Sequence, residues 1–139
     1  MWTYNDQPFD TTPEEYQGFV YRITELDTGK KYIGKKFFWS PKTLPVTKTR
    51  KRRVRTKVES DWKTYFGSSK EVQERVKTNG ESLYKREILR LCKTKGDCSY
   101  WELYEQMVNH VLLSDDYYNS FCGAKIHSKH LSKDMLKVK

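Results

Sequence analysis

The sequence predicts an α+β fold, a small sheet with helices packed around it, and three observations carry that expectation. Residues 18–26, GFVYRITEL, are dense in β-branched and aromatic side chains, stop at Asp27-Thr28-Gly29, and are followed by KKYIGK, the pattern of two strands joined by a tight turn. LYKREILRLC at 83–92 reads as a third strand. Two stretches with helix start and stop signals come between and after, so the order is strand, strand, helix, strand, helix.

In the hairpin, a two-residue turn puts Tyr21 and Tyr32 on one face, whereas a bulge at Gly29 parts them, because a one-residue slip reverses every side chain. Gly34 weakens a strand interior, which points to a bulge or to close approach by a phosphate or a tyrosine ring. From Phe37 to Val58 regular structure is hard to see, and residues 40–58 read as a long basic loop: seven of the ten residues at 48–57 are Lys or Arg. SDWKTYF at 60–66 predicts a short helical turn or strand end closed by Gly67. Ser68 or Ser69 caps a helix to about Thr78, stopped by Asn79-Gly80. Ser99 followed by Glu102 predicts a capping box at the mouth of a second helix, from about Tyr100 to Leu113. At 100° per residue, Trp101, Tyr104, Val108, Val111 and Leu112 form its buried stripe, with Glu105 at the edge. Residues 120–139 form a basic tail.

The 139 residues fit one domain, with a modest core rich in Tyr, Phe and Trp. No apolar run approaches the ~20 residues of a membrane span, and the N-terminus lacks the pattern of a secretory signal, so a soluble cytoplasmic protein is expected. Cys92, Cys98 and Cys122 lack paired spacing and the three histidines complete no zinc pattern, which leaves structural thiols as the expectation. The net charge of +9 draws polyanions, with nucleic acid the leading partner. Ribosomal attachment, an anionic membrane surface or simple solubility would give the same charge.

F-V-Y at 19–21 followed by Y-I-G at 32–34 resembles the paired triplets of the GIY-YIG endonucleases. The order YIGKKFFW, SDWKTYFGSS, KREIL, a Glu-bearing helix and then Tyr117-Tyr118-Asn119 is similar to small phage-encoded Seg-type, homing-endonuclease-like members, over roughly residues 18–119. The resemblance implies a three-stranded antiparallel sheet flanked by helices. It also implies a metal-dependent DNA endonuclease that hydrolyses phosphodiester bonds, nicking or cutting duplex or branched DNA in the cytoplasm, of the host cell if the chain is phage-encoded. Such chemistry needs a positioned water and neutralised phosphoryl charge, and the cofactor implied is Mg²⁺ or Mn²⁺, with no small-molecule cofactor.

By that likeness Tyr21 or Tyr32 orients or deprotonates the nucleophile, Glu105 holds the metal and Asn119 braces the site beside Gly34. A phenol is a weak base at neutral pH, and Lys35 and Lys36 stand where they would favour phenolate. Glu105 is preferred to Glu102 because the capping box gives Glu102 a structural task. Phe19 stands where the family usually has Gly, and the family arginine that follows the second triplet is missing. The nearest stretch, DWKTYF, offers Asp61 and Tyr65, while Lys35 or one of Arg50, Arg52, Arg53 and Arg55 would fill the space. Lys36, Lys48, Arg50, Lys51, Arg52, Arg53, Arg55 and Lys57 are the expected DNA-backbone contacts. The rival expectations are a catalytically weakened nucleic-acid-binding module of the same fold and a basic RNA-associated structural protein. The oligomeric state is open, a dimer included.

Overall fold

The chain opens with two short strands that its composition does not announce, β1 (Trp2–Tyr4) and β2 (Gln7–Pro8), joined through Asn5 and Asp6. Both turn residues have positive φ, 51° and 64°, the left-handed region that Asn and Asp tolerate in tight hairpins. In this computed structural model residues 1–44, 46–48, 54–132 and 134–137 are described. The expected hairpin is β3 (Gly18–Glu25) with β4 (Lys31–Phe37); further strands are β5 (Trp39–Leu44), β6 (Val54–Glu59) and β7 (Tyr84–Cys92). The sheet order is β2-β1-β7-β3-β4. The antiparallel trio β7-β3-β4 is the sheet the resemblance implies, and the N-terminal hairpin widens it to five strands, β1 running parallel to β7.

Tyr21 pairs with Gly34 and Ile23 with Tyr32; the strands close at Glu25 and Lys30 through four residues, 26–29, which keep the parity a two-residue turn would give, so both tyrosines lie on one face. Alternation then divides the sheet. One face carries Phe19, Tyr21 and Ile23 into an aromatic core with Trp2, Phe38 and Trp62, under α1 (Lys70–Asn79). The other carries Val20 and Ile33 into a smaller core with Cys92, Cys98 and Trp101, under α2 (Lys95–Val108).

The predicted basic loop is a two-stranded ribbon: β5 pairs antiparallel with β6 from Trp39↔Glu59 to Leu44↔Val54. Alternating β-branched residues permit strands there, and because both faces are largely exposed the sequence lacks the polar–apolar rhythm that reveals a half-buried strand. Gln17 Nε2 donates to the Trp39 carbonyl (3.0 Å), and Trp39 Nε1 to that of Pro13 (3.2 Å), tying down the root. Arg50, Lys51, Arg52 and Arg53 lie outside the described residues.

Helix α1 starts as expected, with Ser69 Oγ accepting from the Val72 amide, and ends at Gly80. Helix α2 starts five residues earlier than predicted. Thr94 is its cap, accepting from the Asp97 amide at 3.0 Å, so Ser99 and Glu102 lie inside the helix and form no capping box. Tertiary packing chooses this start. A Cβ at Gly96 would stand 2.3 Å from the His130 carbonyl, and Asp97 accepts from the backbone and hydroxyl of Ser132. The expected stripe is corrected too: Trp101 and Val111 are buried, but Tyr104, Val108 and Leu112 are exposed.

Glu25, 1% exposed, joins the elements around the tyrosine face. It accepts from Arg75 at 2.8 and 2.9 Å, Thr28 at 2.6 Å, Tyr84 at 2.7 Å and Tyr118 at 3.1 Å. Those hydrogen bonds, led by Arg75, hold its carboxyl well below the usual carboxylate range. Among the described residues no helix is long and apolar enough to cross a membrane.

Candidate active site

Tyr21 and Tyr32 meet diagonally across β3 and β4, their ring centroids 6.3 Å apart. Room for the Tyr21 phenol is made by removing side chains: a Cβ at Gly34 would lie 2.4 Å from Tyr21 Oη, and one at Gly67, where φ is 91°, 3.4 Å away. Gly34 therefore serves the close approach of a tyrosine ring, and the β3–β4 register passes through it without a bulge. Trp2 and Tyr65 stand edge-on to Tyr21 at 5.5 and 5.9 Å. Among the described residues, Tyr21 Oη is the buried side-chain polar atom left without a well-formed hydrogen bond, the Tyr65 hydroxyl being its polar neighbour. An unmet hydrogen bond of this kind costs about 1–3 kcal/mol and calls for a reason, of which substrate chemistry is one.

Tyr32 is half-buried and shares a 2.9 Å hydrogen bond with Ser68 Oγ, just before α1. Around it Ser69, Lys70, Tyr118, Ser120 and Phe121 line an open pocket of about 290 Å³. Burial pushes both phenols up from the ordinary value; the neighbouring phenols Tyr65 and Tyr32 add to the rise at Tyr21, while the Ser68 bond opposes it at Tyr32. Both phenols hold their protons at neutral pH.

The outer edge of β4 is covered by residues 116–119: the Lys31 amide donates to the Asp116 carbonyl at 2.8 Å and the Tyr118 amide to the Lys31 carbonyl at 2.7 Å. Asn119 is buried and grips Ile33 twice, Oδ1 accepting from its amide at 3.1 Å and Nδ2 donating to its carbonyl at 2.8 Å. Gln106 Nε2 donates to the same carbonyl at 3.0 Å. One turn earlier on α2, Glu102 reaches the strand beside Gly34, 3.8 Å from the Lys35 ammonium. Its charge adds a small part to the rise at both Tyr21 and Tyr32. Burial pushes the Glu102 carboxyl up, with Lys35 pulling the other way.

Glu105, the expected metal ligand, is placed elsewhere. Its Oε1 accepts from Arg90 Nε at 3.0 Å, and that guanidinium stacks 3.7 Å over Trp101, on the α2 face of the sheet. The preference for Glu105 depends on a capping task for Glu102 that does not exist; the carboxylate with the structural partner is Glu105.

The neighbouring lysines part in the same way. Lys35 turns toward α2, where Nζ donates to Ser99 Oγ at 2.8 Å. Lys36 is on the tyrosine face, 2.6 Å from Asp61 and 4.2 Å above the Tyr65 ring. On the ribbon, Lys48 is exposed, Lys57 lies 4.3 Å over the Trp39 ring and 3.4 Å from Glu14, and Arg55 falls in β6 opposite Thr43. Trp62 is fully buried in the aromatic core. Sequence reasoning missed Glu102, Gln106 and Ser68 as neighbours of the site. The spacing of 102 and 106, one helical turn, would have put the first two on one side of α2.

A family model described as "Putative endonuclease segE, GIY-YIG domain" matches residues 2–122. The chain belongs to this family. No curated protein and no solved structure matches it. Membership in the segE-type GIY-YIG endonucleases makes the chain a nuclease domain with an α+β fold, and it covers the whole five-stranded sheet, both helices and the segment through Cys122.

Members of the family call for a divalent metal, and the donor set at the β4 edge suits one kind. No group of three or more His, Cys, Asp or Glu side chains among the described residues is placed to hold a metal. Mg²⁺ needs no such cage, since it keeps several waters and binds through one or two carboxylates together with substrate phosphates. Glu102, half-buried beside Lys35, is a single carboxylate of the kind that requirement calls for. Phe19, in place of the usual glycine of the first triplet, is fully buried among Trp2, Phe38 and Trp62 and so belongs to the core.

Proposed function

We propose that the protein is a divalent-metal-dependent DNA endonuclease, active in the cytoplasm, in which Glu102 holds Mg²⁺ or Mn²⁺ and Tyr21 and Tyr32 position the attacking water. One observation carries the reading: Glu102 lies at the β4 edge beside Lys35, next in the chain to the Gly34 that makes room for the Tyr21 hydroxyl. The bound cation supplies neutralising charge on the phosphoryl oxygens and stabilises the leaving oxygen. The protonated phenols donate hydrogen bonds, so in the free protein they orient a water or a phosphate oxygen; accepting a proton requires added positive charge beside them. Asn119 and Gln106 hold Ile33 and so fix the strand that carries Tyr32 and Gly34. The β5–β6 ribbon, which carries Arg55 and Lys57 and whose strands flank Lys48, Arg50, Lys51, Arg52 and Arg53 in the sequence, contacts the DNA backbone; a two-stranded ribbon has the width that a major groove admits.

A binding module with weakened chemistry is the second reading, favoured by Asp61, an acidic residue in the stretch where the family carries arginine. Supercoiled plasmid separates the two. Relaxed circles should form with Mg²⁺ and not with EDTA; salt-sensitive gel shifts without metal-dependent nicking, across a range of ionic strengths, would leave the module.

A further inference from the structure

We infer that Lys36, and not its neighbour Lys35, is the cation that meets the phosphate beside the phenol pair, and that Asp61 and Tyr65 are positioning residues that hold its ammonium there. This rests on the nuclease reading above.

Strand alternation puts Tyr32, Gly34 and Lys36 on one face of β4 and turns Lys35 to the other. Lys35 is occupied there by Ser99 and Glu102. Two arginines near the tyrosine face are also committed. Arg86 is buried and donates to the carbonyls of Lys63 (3.1 Å) and Tyr65 (2.8 Å), and Arg75 is bound to Glu25. Lys36 differs. Its ammonium sits above Tyr65, whose ring stands edge-on to Tyr21, and beside a cleft of about 200 Å³ lined by Lys35, Lys36, Phe37, Ser40 and Ser60.

The contact with Asp61 does not spend this cation. An ammonium has three donors, and Asp61 occupies one of them; the Tyr65 face attracts the charge without taking a proton. Asp61 is 73% exposed, so the pair adds little stability, and the carboxylate acts mainly on direction. Direction is what a lysine lacks. A guanidinium is a rigid planar fork, whereas an ammonium on a four-carbon stem has to be guided from outside. Asp61 beside the charge and Tyr65 beneath it supply that guidance, which accounts for an acidic residue next to a site that receives phosphate.

The test compares plasmid nicking by the full chain with its Lys36→Met, Lys36→Gln, Lys36→Arg, Lys35→Met and Asp61→Asn variants, each checked for folding by its melting temperature. Lys36→Met and Lys36→Gln should lower kcat by about 100-fold or more, the scale of losing one charge-stabilising group, with KM for DNA changed less than about threefold. Lys36→Arg should recover most of that loss, and Lys35→Met should lose less than Lys36→Met. Asp61→Asn should lower kcat about tenfold alone but add nothing in the Lys36→Arg background, where the fork needs no guide; a merely structural Asp61 would cost the same in both. The assignment falls if the unsubstituted chain nicks and folded Lys36 variants keep kcat within about threefold, or if Lys35→Met shows the larger loss. A chain that never nicks removes the nuclease reading itself, and the inference with it.

Discussion

The two faces of the sheet use the same residue types for different ends. Under α2, Glu105 meets Arg90, Arg90 stacks on Trp101, and Asp97 meets Ser132, so each of these charges has a fixed partner. Under α1 the face is built from large rings packed closely, yet it keeps a buried hydroxyl without a well-formed hydrogen bond and a lysine with donors to spare. A single step along β4 separates Lys35 from Lys36, and three residues along α2 separate Glu102 from Glu105. The difference teaches that one step along a strand or one turn along a helix gives residues of the same type different partners: Ser99 for Lys35 and Asp61 for Lys36, Lys35 for Glu102 and Arg90 for Glu105. In the proposed reading Glu102 belongs to the α2 side and still serves the other face, because it lies beside Lys35 on β4, the last strand of the sheet.

The sharpest way to break this comparison is to exchange the two helix carboxylates for amides. Glu102→Gln should lower Mg²⁺-dependent nicking by about 100-fold or more while DNA binding in EDTA stays within a few fold. Glu105→Gln should leave nicking nearly intact and cost about 1 kcal/mol of stability, since its pair with Arg90 is half-buried. Nicking assays beside thermal melts read both; the opposite ranking would return the metal to Glu105 and erase the distinction between the faces.

A structural charge that belongs to the tyrosine side sharpens it next. Glu25→Gln keeps one acceptor oxygen but removes the charge and replaces the other oxygen with a donor that meets the donors now bound there, and it should cost about 3 kcal/mol, toward the lower end for breaking a buried pair because Arg75 is partly exposed. The sign with pH follows from the lowered folded-state value. The stabilisation is complete above the unfolded glutamate value of about 4.3 and is lost progressively as pH falls below it. Denaturant titrations from pH 7 to pH 3 should therefore show a smaller acid loss in Glu25→Gln than in the parent. An equal loss would assign the acid sensitivity to other carboxylates.

What the sequence made legible were features whose causes are local. The β3–β4 hairpin, the third strand, the Ser69 cap and the Gly80 stop each follow from residues within one turn of themselves. The N-terminal hairpin is too short to show a period, and its parallel pairing with β7 is made across more than eighty residues. The start of α2 is a contest between Thr94 and Ser99, two residues with equal capping chemistry. The C-terminal segment decides it by packing on Gly96 and Asp97. That distant packing moves the helix start, and with it the roles of Glu102 and Glu105. The tyrosine pair is legible from its motif, whereas the cation beside it requires knowing that the Asp61 turn folds back over Lys36.

The smallest expected effect concerns the ribbon, which stands apart from both faces and pairs with no other strand among the described residues. If its cations act on the phosphate backbone, as proposed, their removal should change how tightly DNA is held and not how fast a bound phosphate reacts. Lys42, Lys48 and Lys57 are all exposed, and Lys57 is further steadied over Trp39. Replacing the three by Gln should reduce the slope of log affinity against log salt by about 0.9 for each phosphate that is no longer neutralised, while kcat at saturating DNA stays within about twofold. Gel shifts at several salt concentrations and saturating nicking assays measure the two separately. A fall in kcat with an unchanged salt slope would make the ribbon part of the chemistry, and the division between a reacting face and a holding arm would have to be redrawn.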